Sequence, residues 1–255
     1  GPLIIMSSSS HSPDNTCERL RFTLNPNITS TLAKPKSASN TSTLLPCCPR
    51  AIAVFNETLV LPTPPFPPET AITLTLMSYF LAKHPEWQEK LRTESSNFEV
   101  TSETKINDLR VLEKSGLVMK ETLRIHPPLI TVTRKLEKEL EVNNVRLPKN
   151  TFVSVVFQMT HHDERSWTNP SKFDPERFNK IRNEQSKCPF GYAPFGAGKH
   201  HCIGYQFAEL MVKLGMTELL KRYKISVPVG YESPIRDVPL KQPKDNLPLF
   251  LAARS

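Results

Sequence analysis

Pro194-Phe195-Gly196-Ala197-Gly198-Lys199-His200-His201-Cys202-Ile203-Gly204 is the most distinctive run in this chain of 255 residues. Only eight glycines occur in the whole sequence, and Gly191, Gly196, Gly198 and Gly204 fall within fourteen residues around Cys202. Clustered glycines let a backbone turn with positive φ or approach a ligand closely. An apolar-periodic segment, predicted as a helix over 203–223, follows at once. Cys202 therefore sits where the helix dipole and free N–H groups favour negative charge. Two local readings stay open. An ordinary buried cysteine in a glycine loop is the commoner outcome. A thiolate with no second Cys or His at zinc spacing instead suits the axial ligand of a single haem iron.

Outward from this loop, composition divides the chain near residue 67. Nine of the twenty-four prolines fall within residues 1–66. They stand beside four consecutive serines, Ser7 to Ser10, and no sustained apolar period, so 1–66 is expected to be a disordered or low-complexity leader. The patch Ala51 to Val60 offers one short strand at most. Five cysteines without metal spacing argue against a disulfide framework and for a reducing compartment. Cys188 is expected to be a passive thiol. The formal charge of +8 is dispersed and not interleaved with aromatics, which argues against nucleic acid and leaves an acidic protein partner. No stretch approaches the roughly 20 apolar residues of a membrane-spanning helix, so no anchor is expected.

Residues 67–255 read as mainly α with small β-sheets (α+β). Pro68 suits a first helical position, and Ala71 to Leu81 give an apolar face up to His84-Pro85. A second helix is predicted over 85–91, a polar connection over 93–106, and a third helix over 109–125, stopped by Pro127-Pro128. Strands follow at 129–133, in a hairpin over 140–147 turning at Asn143-Asn144, and at 151–156. A long ordered loop covers 161–195, and short strands close the chain.

Phe195, Gly198, His200, Cys202 and Gly204 in their order resemble the haem-binding signature of the cytochrome P-450 family. Glu121-Thr122-Leu123-Arg124, followed by His126-Pro127-Pro128, resembles the family's Glu-x-x-Arg helix. Phe173-Asp174-Pro175-Glu176-Arg177-Phe178 resembles the segment bearing the third member of a Glu–Arg–Arg network. The likeness covers 67–255, the C-terminal part of that fold. It implies that Cys202 supplies the proximal thiolate of haem b, with the Gly204 amide bonding the sulfur and Phe195 excluding water. His200 and Arg134 would grip the propionates, and Glu121, Arg124 and Arg177 would form a structural network. Phe207, Leu210, Met211 and Leu214 are expected to pack under the haem. Lys180, Arg182, Lys187, Lys199, Lys213 and Lys221 would make a basic proximal face for a reductase or ferredoxin that delivers NADPH-derived electrons. The pair His161-His162, followed by Asp163, is read as family loop sequence in which adjacent side chains point apart, not as a metal site.

The resemblance breaks at the acid–alcohol pair that the family uses to activate oxygen. Counting back from His84-Pro85, the acid falls on Pro68 and the two threonines on Glu69 and Thr70, behind prolines that forbid a continuing upstream helix. The implied function is a monooxygenase fragment acting on an apolar small molecule. The alternatives are a peroxide-rearranging haem-thiolate enzyme or an inactive truncated haem-binding remnant. An intact eukaryotic-type member would sit at the endoplasmic reticulum membrane or another membrane.

Overall fold

In the computed structural model, residues 67–255 are described apart from 102, 106, 238, 239, 246 and 255. Of residues 1–66, only the backbone strands β1 (Leu3–Ser8), β2 (Leu20–Leu24), β3 (Ala53–Phe55) and β4 (Thr58–Val60) are given. The leader expected to be disordered therefore lies largely outside the described residues, as do Cys17, Cys47 and Cys48. The patch 51–60 carries two short strands, paired antiparallel, where one was expected.

Helix α1 (Pro68–Lys83) begins at a proline and ends against His84-Pro85, and α2 (Pro85–Ser96) restarts there with Pro85 at its own first position. α1 is buried around most of its circumference, through Ile72, Leu76, Met77, Tyr79, Phe80 and Leu81. α2 runs five residues beyond the predicted 85–91. α3 (Glu113–Ile125) starts four residues later than predicted, after a 3-10 turn at Asp108–Val111. Both differences have one cause. The Glu94 carboxylate accepts from the amides of Lys114 (2.7 Å) and Ser115 (2.9 Å). A side chain of α2 thus satisfies the first donors of α3, which Leu112 at the cap position cannot do.

The predicted strands appear as β5 (Thr131–Lys135), β6 (Leu140–Val142), β7 (Val145–Leu147) and β8 (Phe152–Val156). Asn143 and Asn144 both have positive φ (50° and 61°), so β6 and β7 join through the two-residue turn that this dipeptide favours. A short helix not anticipated from the sequence, α4 (Phe157–His161), follows β8 directly. Residues 162–204 are loop and 3-10 turn, as expected. α5 (Tyr205–Arg222) then leads into β9 (Tyr223–Ser226), which pairs antiparallel with β12 (Phe250–Ala253), and a two-residue pair β10 (Ile235–Arg236) and β11 (Gln242–Pro243) lies between.

The core gathers α1, α2, α3 and α5 around Met77, Leu81, Leu91, Val118, Met216 and Leu220, each 1% exposed or less. On α5 the core face is Val212, Met216, Leu219 and Leu220. The stripe expected to pack under the haem lies outside that face: Phe207 is 48% exposed, and Leu210, Met211 and Leu214 are half-buried.

Candidate haem-binding site

The loop before α5 is built by two reversed glycines and one backbone bond. Gly196 (φ +75°) and Gly198 (φ +63°) take conformations that strain any L side chain. A Cβ at Gly196 would also meet the His200 carbonyl at 3.3 Å. Between these turns, the Cys202 amide donates to the Phe195 carbonyl (2.8 Å) and closes the loop. Gly204 forms the cap position of α5, and a Cβ there would stand 3.8 Å from the Cys202 sulfur. The thiol is free and exposed. Beside it Ile203 is fully exposed (104%), and Phe207 is about half so. The result is an unpaired sulfur at a helix N-terminus, framed by apolar side chains that no described residue covers.

Phe195 is half-buried and packs edge-on against the Tyr205 ring (4.9 Å), which also meets His201 (5.5 Å). Tyr205 is pushed up to about 12, by burial first and by the nearby Glu209 charge second. His200 is exposed in the 3-10 turn Gly198–His200. Arg134 is exposed on β5, its guanidinium donating to the Thr133 carbonyl (3.0 Å).

Glu121, Arg124 and Arg177 meet with 0% exposure each. Arg124 Nε donates to Glu121 Oε2 (2.7 Å) and Arg177 Nε to Glu121 Oε1 (3.0 Å). Arg124 also holds the carbonyls of His161 (2.7 Å) and Pro170 (2.6 Å), and Arg177 those of Thr168 (2.8 Å) and Lys172 (3.1 Å). A fourth charge completes the group: Glu184 accepts from Arg177 (3.0 Å), Arg182 (2.6 Å) and the Thr168 amide (3.0 Å). Burial opposes the Glu184 charge, but the Thr168 amide and the two arginines outweigh it and hold its carboxyl below the usual range. Two buried cations thus face two buried anions, with most donors satisfied.

Other expectations need correction. Lys213 is not a surface charge: it is 6% exposed, pairs with Glu209 (2.8 Å) and donates to the Leu109 carbonyl (3.3 Å). Arg182 is committed to Asp174 and Glu184. Lys180, Lys187 and Lys199 remain exposed. His161 and His162 lie on a helical turn, not an extended segment. His161 is fully buried and its Nε2 accepts from the Ala193 amide (3.1 Å). His162 Nδ1 instead meets the Gln158 carbonyl (3.0 Å), and no metal-holding cluster exists among the described residues. Cys188 is buried and disulfide-bonded, so the passive-thiol expectation fails. Glu69 and Thr70 form the first turn of α1, with Thr70 5% exposed and its amide bonded to the Pro67 carbonyl (2.9 Å).

A helical core that presents, among the described residues, one free thiol ahead of its last long helix, together with a buried Glu–Arg–Arg group, is the arrangement expected of one class, the haem-thiolate proteins. The match to known proteins is specific within it. The family model described as Cytochrome P450 matches residues 69–249, and the chain belongs to that family. It is 33% identical over 168 residues to cytochrome P450 3A6 of Oryctolagus cuniculus, covering 66% of this chain and 33% of that protein. It is 35% identical over 183 residues to 11-oxo-beta-amyrin 30-oxidase of Glycyrrhiza uralensis, covering 71% and 35%. Among solved structures, retinoic acid-bound cyanobacterial CYP120A1 aligns with a TM-score of 0.68 at 30% identity, over 73% of this chain and 43% of that one. The chain thus spans about a third of the length of these curated relatives. No helix among the described residues is long and apolar enough to cross a membrane.

Proposed function

We propose that residues 67–255 form the haem-holding part of a cytochrome P450 monooxygenase. Its reaction puts one atom of dioxygen into an apolar substrate and reduces the other to water. The observation that carries this reading is the exposed Cys202 thiol at the start of α5, set beside exposed Ile203 and Phe207. A planar apolar group with one metal atom fits that donor set, since the sulfur supplies one soft ligand and the flanking side chains supply contact area. Haem held by a thiolate supplies cleavage of the O–O bond, for which this family is the standard example.

The chain's own residues have distinct tasks. Cys202 binds the iron, and Gly196 and Gly198 shape the loop that holds it out. Phe195 covers one side of the sulfur and anchors the Cys202 amide. His200 and Arg134 hold the two propionates, the imidazole through single donors and the guanidinium through a fork, which makes His200 the weaker clamp. Glu121, Arg124, Arg177 and Glu184 fix the 161–195 loop beneath the site and take no part in chemistry. No proton-delivering pair is assigned, because Pro68 occupies the acid's place and Thr70 is buried. The exposed Lys180, Lys187 and Lys199 offer an acidic redox partner its contact, and NADPH acts only through that partner.

The full chain, loaded with haem and reduced under carbon monoxide, is expected to show the red-shifted Soret band of thiolate ligation, and Cys202→Ser is expected to abolish it. An unshifted band, or one indifferent to the substitution, overturns the ligand assignment.

A further inference from the structure

A cavity of about 260 Å³ opens between α3, the cysteine loop and the first turns of α5. It is separate from the exposed face beside Cys202, since neither Cys202, Ile203 nor Phe207 lines it. Met119, Leu123 and Phe195 give it apolar walls, and the Tyr205 and His201 rings stand at its side. Lys120 of α3 forms part of this wall, half-buried, its ammonium 5.9 Å from the Phe178 ring centroid and with no carboxylate within ion-pair distance among the described residues. The nearest acid, Glu209, is already engaged by Lys213 (2.8 Å). Lys120, Lys213 and Glu209 together leave one uncompensated positive charge at the cavity. Burial lowers the pKa of Lys120, the Glu209 charge opposes this and the Lys213 charge adds to it.

We propose that this cavity binds a small aromatic carboxylate, its ring against Met119, Leu123 and Phe195 and its anionic end on Lys120. The size agrees: an apolar cavity of about 150 Å³ already accepts benzene, and the additional space suits a carboxylate. The charge also agrees, because a monoanion balances the single unpaired cation and regains what Lys120 lost on desolvation. Occupancy would press on Phe195, whose carbonyl holds the Cys202 amide, so the ligand would touch the support of the thiolate from behind.

Calorimetric titration of the full chain with benzoate tests this. Saturable one-site binding is expected, at least tenfold weaker in Lys120→Met and within threefold of the parent in Lys120→Arg. Benzamide, which has the same ring and no charge, is expected to bind at least tenfold more weakly to the parent protein. That comparison needs no variant and decides the matter even if Lys120→Met folds poorly. Absence of saturable benzoate binding overturns the proposal. So does equal affinity for benzamide, or benzoate binding that survives Lys120→Met unchanged, which would put the anion elsewhere.

Discussion

His161 and His126 are held to pKa values of about 3, far below the usual imidazole range, by burial first and by neighbouring cations second. For His161 the cation is Arg124, and for His126 it is chiefly Lys241. Each ring leaves its Nδ1 buried without a hydrogen-bond partner, so protonation would add an interior charge, which at His161 the backbone of Leu123 and Arg124 offsets only in part. The sign follows directly. Between the folded value near 3 and the unfolded value near 6.5, the unfolded chain carries the extra proton. Stability contributed by these rings is therefore complete above about pH 6.5 and falls as pH drops toward 3. The limiting slope is about 1.4 kcal/mol per pH unit for each histidine. Urea unfolding at pH 7, 6 and 5 should show this loss, and His161→Asn should flatten the slope; a stability constant over that range would mean the rings are not buried neutral. At this scale the sequence was readable where a motif named the residue. Glu121, Arg124 and Arg177 fall where the resemblance puts them. Glu184 was not readable, because it sits in a stretch without period and its role depends on three donors that only folding assembles.

The helices illustrate what periodicity carries and what it omits. Apolar spacing marks α1, α3 and α5, but it does not say which apolar face is covered. On α5 it pointed to Phe207, Leu210, Met211 and Leu214, whereas the packed side is Val212, Met216, Leu219 and Leu220. That stripe stays more exposed than the packed side, with Phe207 48% exposed and the other three half-buried. The start of α3 was misplaced for another reason, since its cap is Glu94, nineteen residues upstream of Glu113 and in a different helix. α2 makes a second contact of this kind. Gln88 is 1% exposed, donates to the carbonyls of Leu81 (3.0 Å) and Ile225 (2.9 Å), and accepts from the Ile225 amide (2.9 Å). One side-chain amide thus acts as a short piece of strand beside β9. Gln88→Leu should cost about 1–3 kcal/mol for each backbone group left bare. Hydrogen exchange at the Ile225 amide should accelerate with it, and unchanged protection there would show that α2 does not hold β9.

Across the molecule, the buried four-charge group joins α3 to the long loop and to the 3-10 turns Pro175–Phe178 and Glu184–Ser186. Taking out one anion leaves two arginines facing one acid in the interior. Glu121→Gln should therefore destabilise the chain by about 3–5 kcal/mol, read as a lower urea midpoint together with reduced soluble yield and haem retention. Unchanged values for all three would mean the group forms without bearing on the fold. Fold class and element order from 67 onward were legible, because prolines punctuate the helices and turn residues mark the strands. The reach of Lys213 into the interior was not, since its partners Glu209 and the Leu109 carbonyl lie four and 104 residues away. The same kind of distant tie closes the fold at its far end. Arg254 bonds Glu89 on α2 (2.6 Å) and the Tyr223 carbonyl (3.1 Å), while its amide reaches the Arg222 carbonyl (2.9 Å). One guanidinium therefore latches the tail across the seam between the last helix and the second. Cutting the chain just before that position would therefore free the last strand from both the helix it follows and the helix it is pinned to.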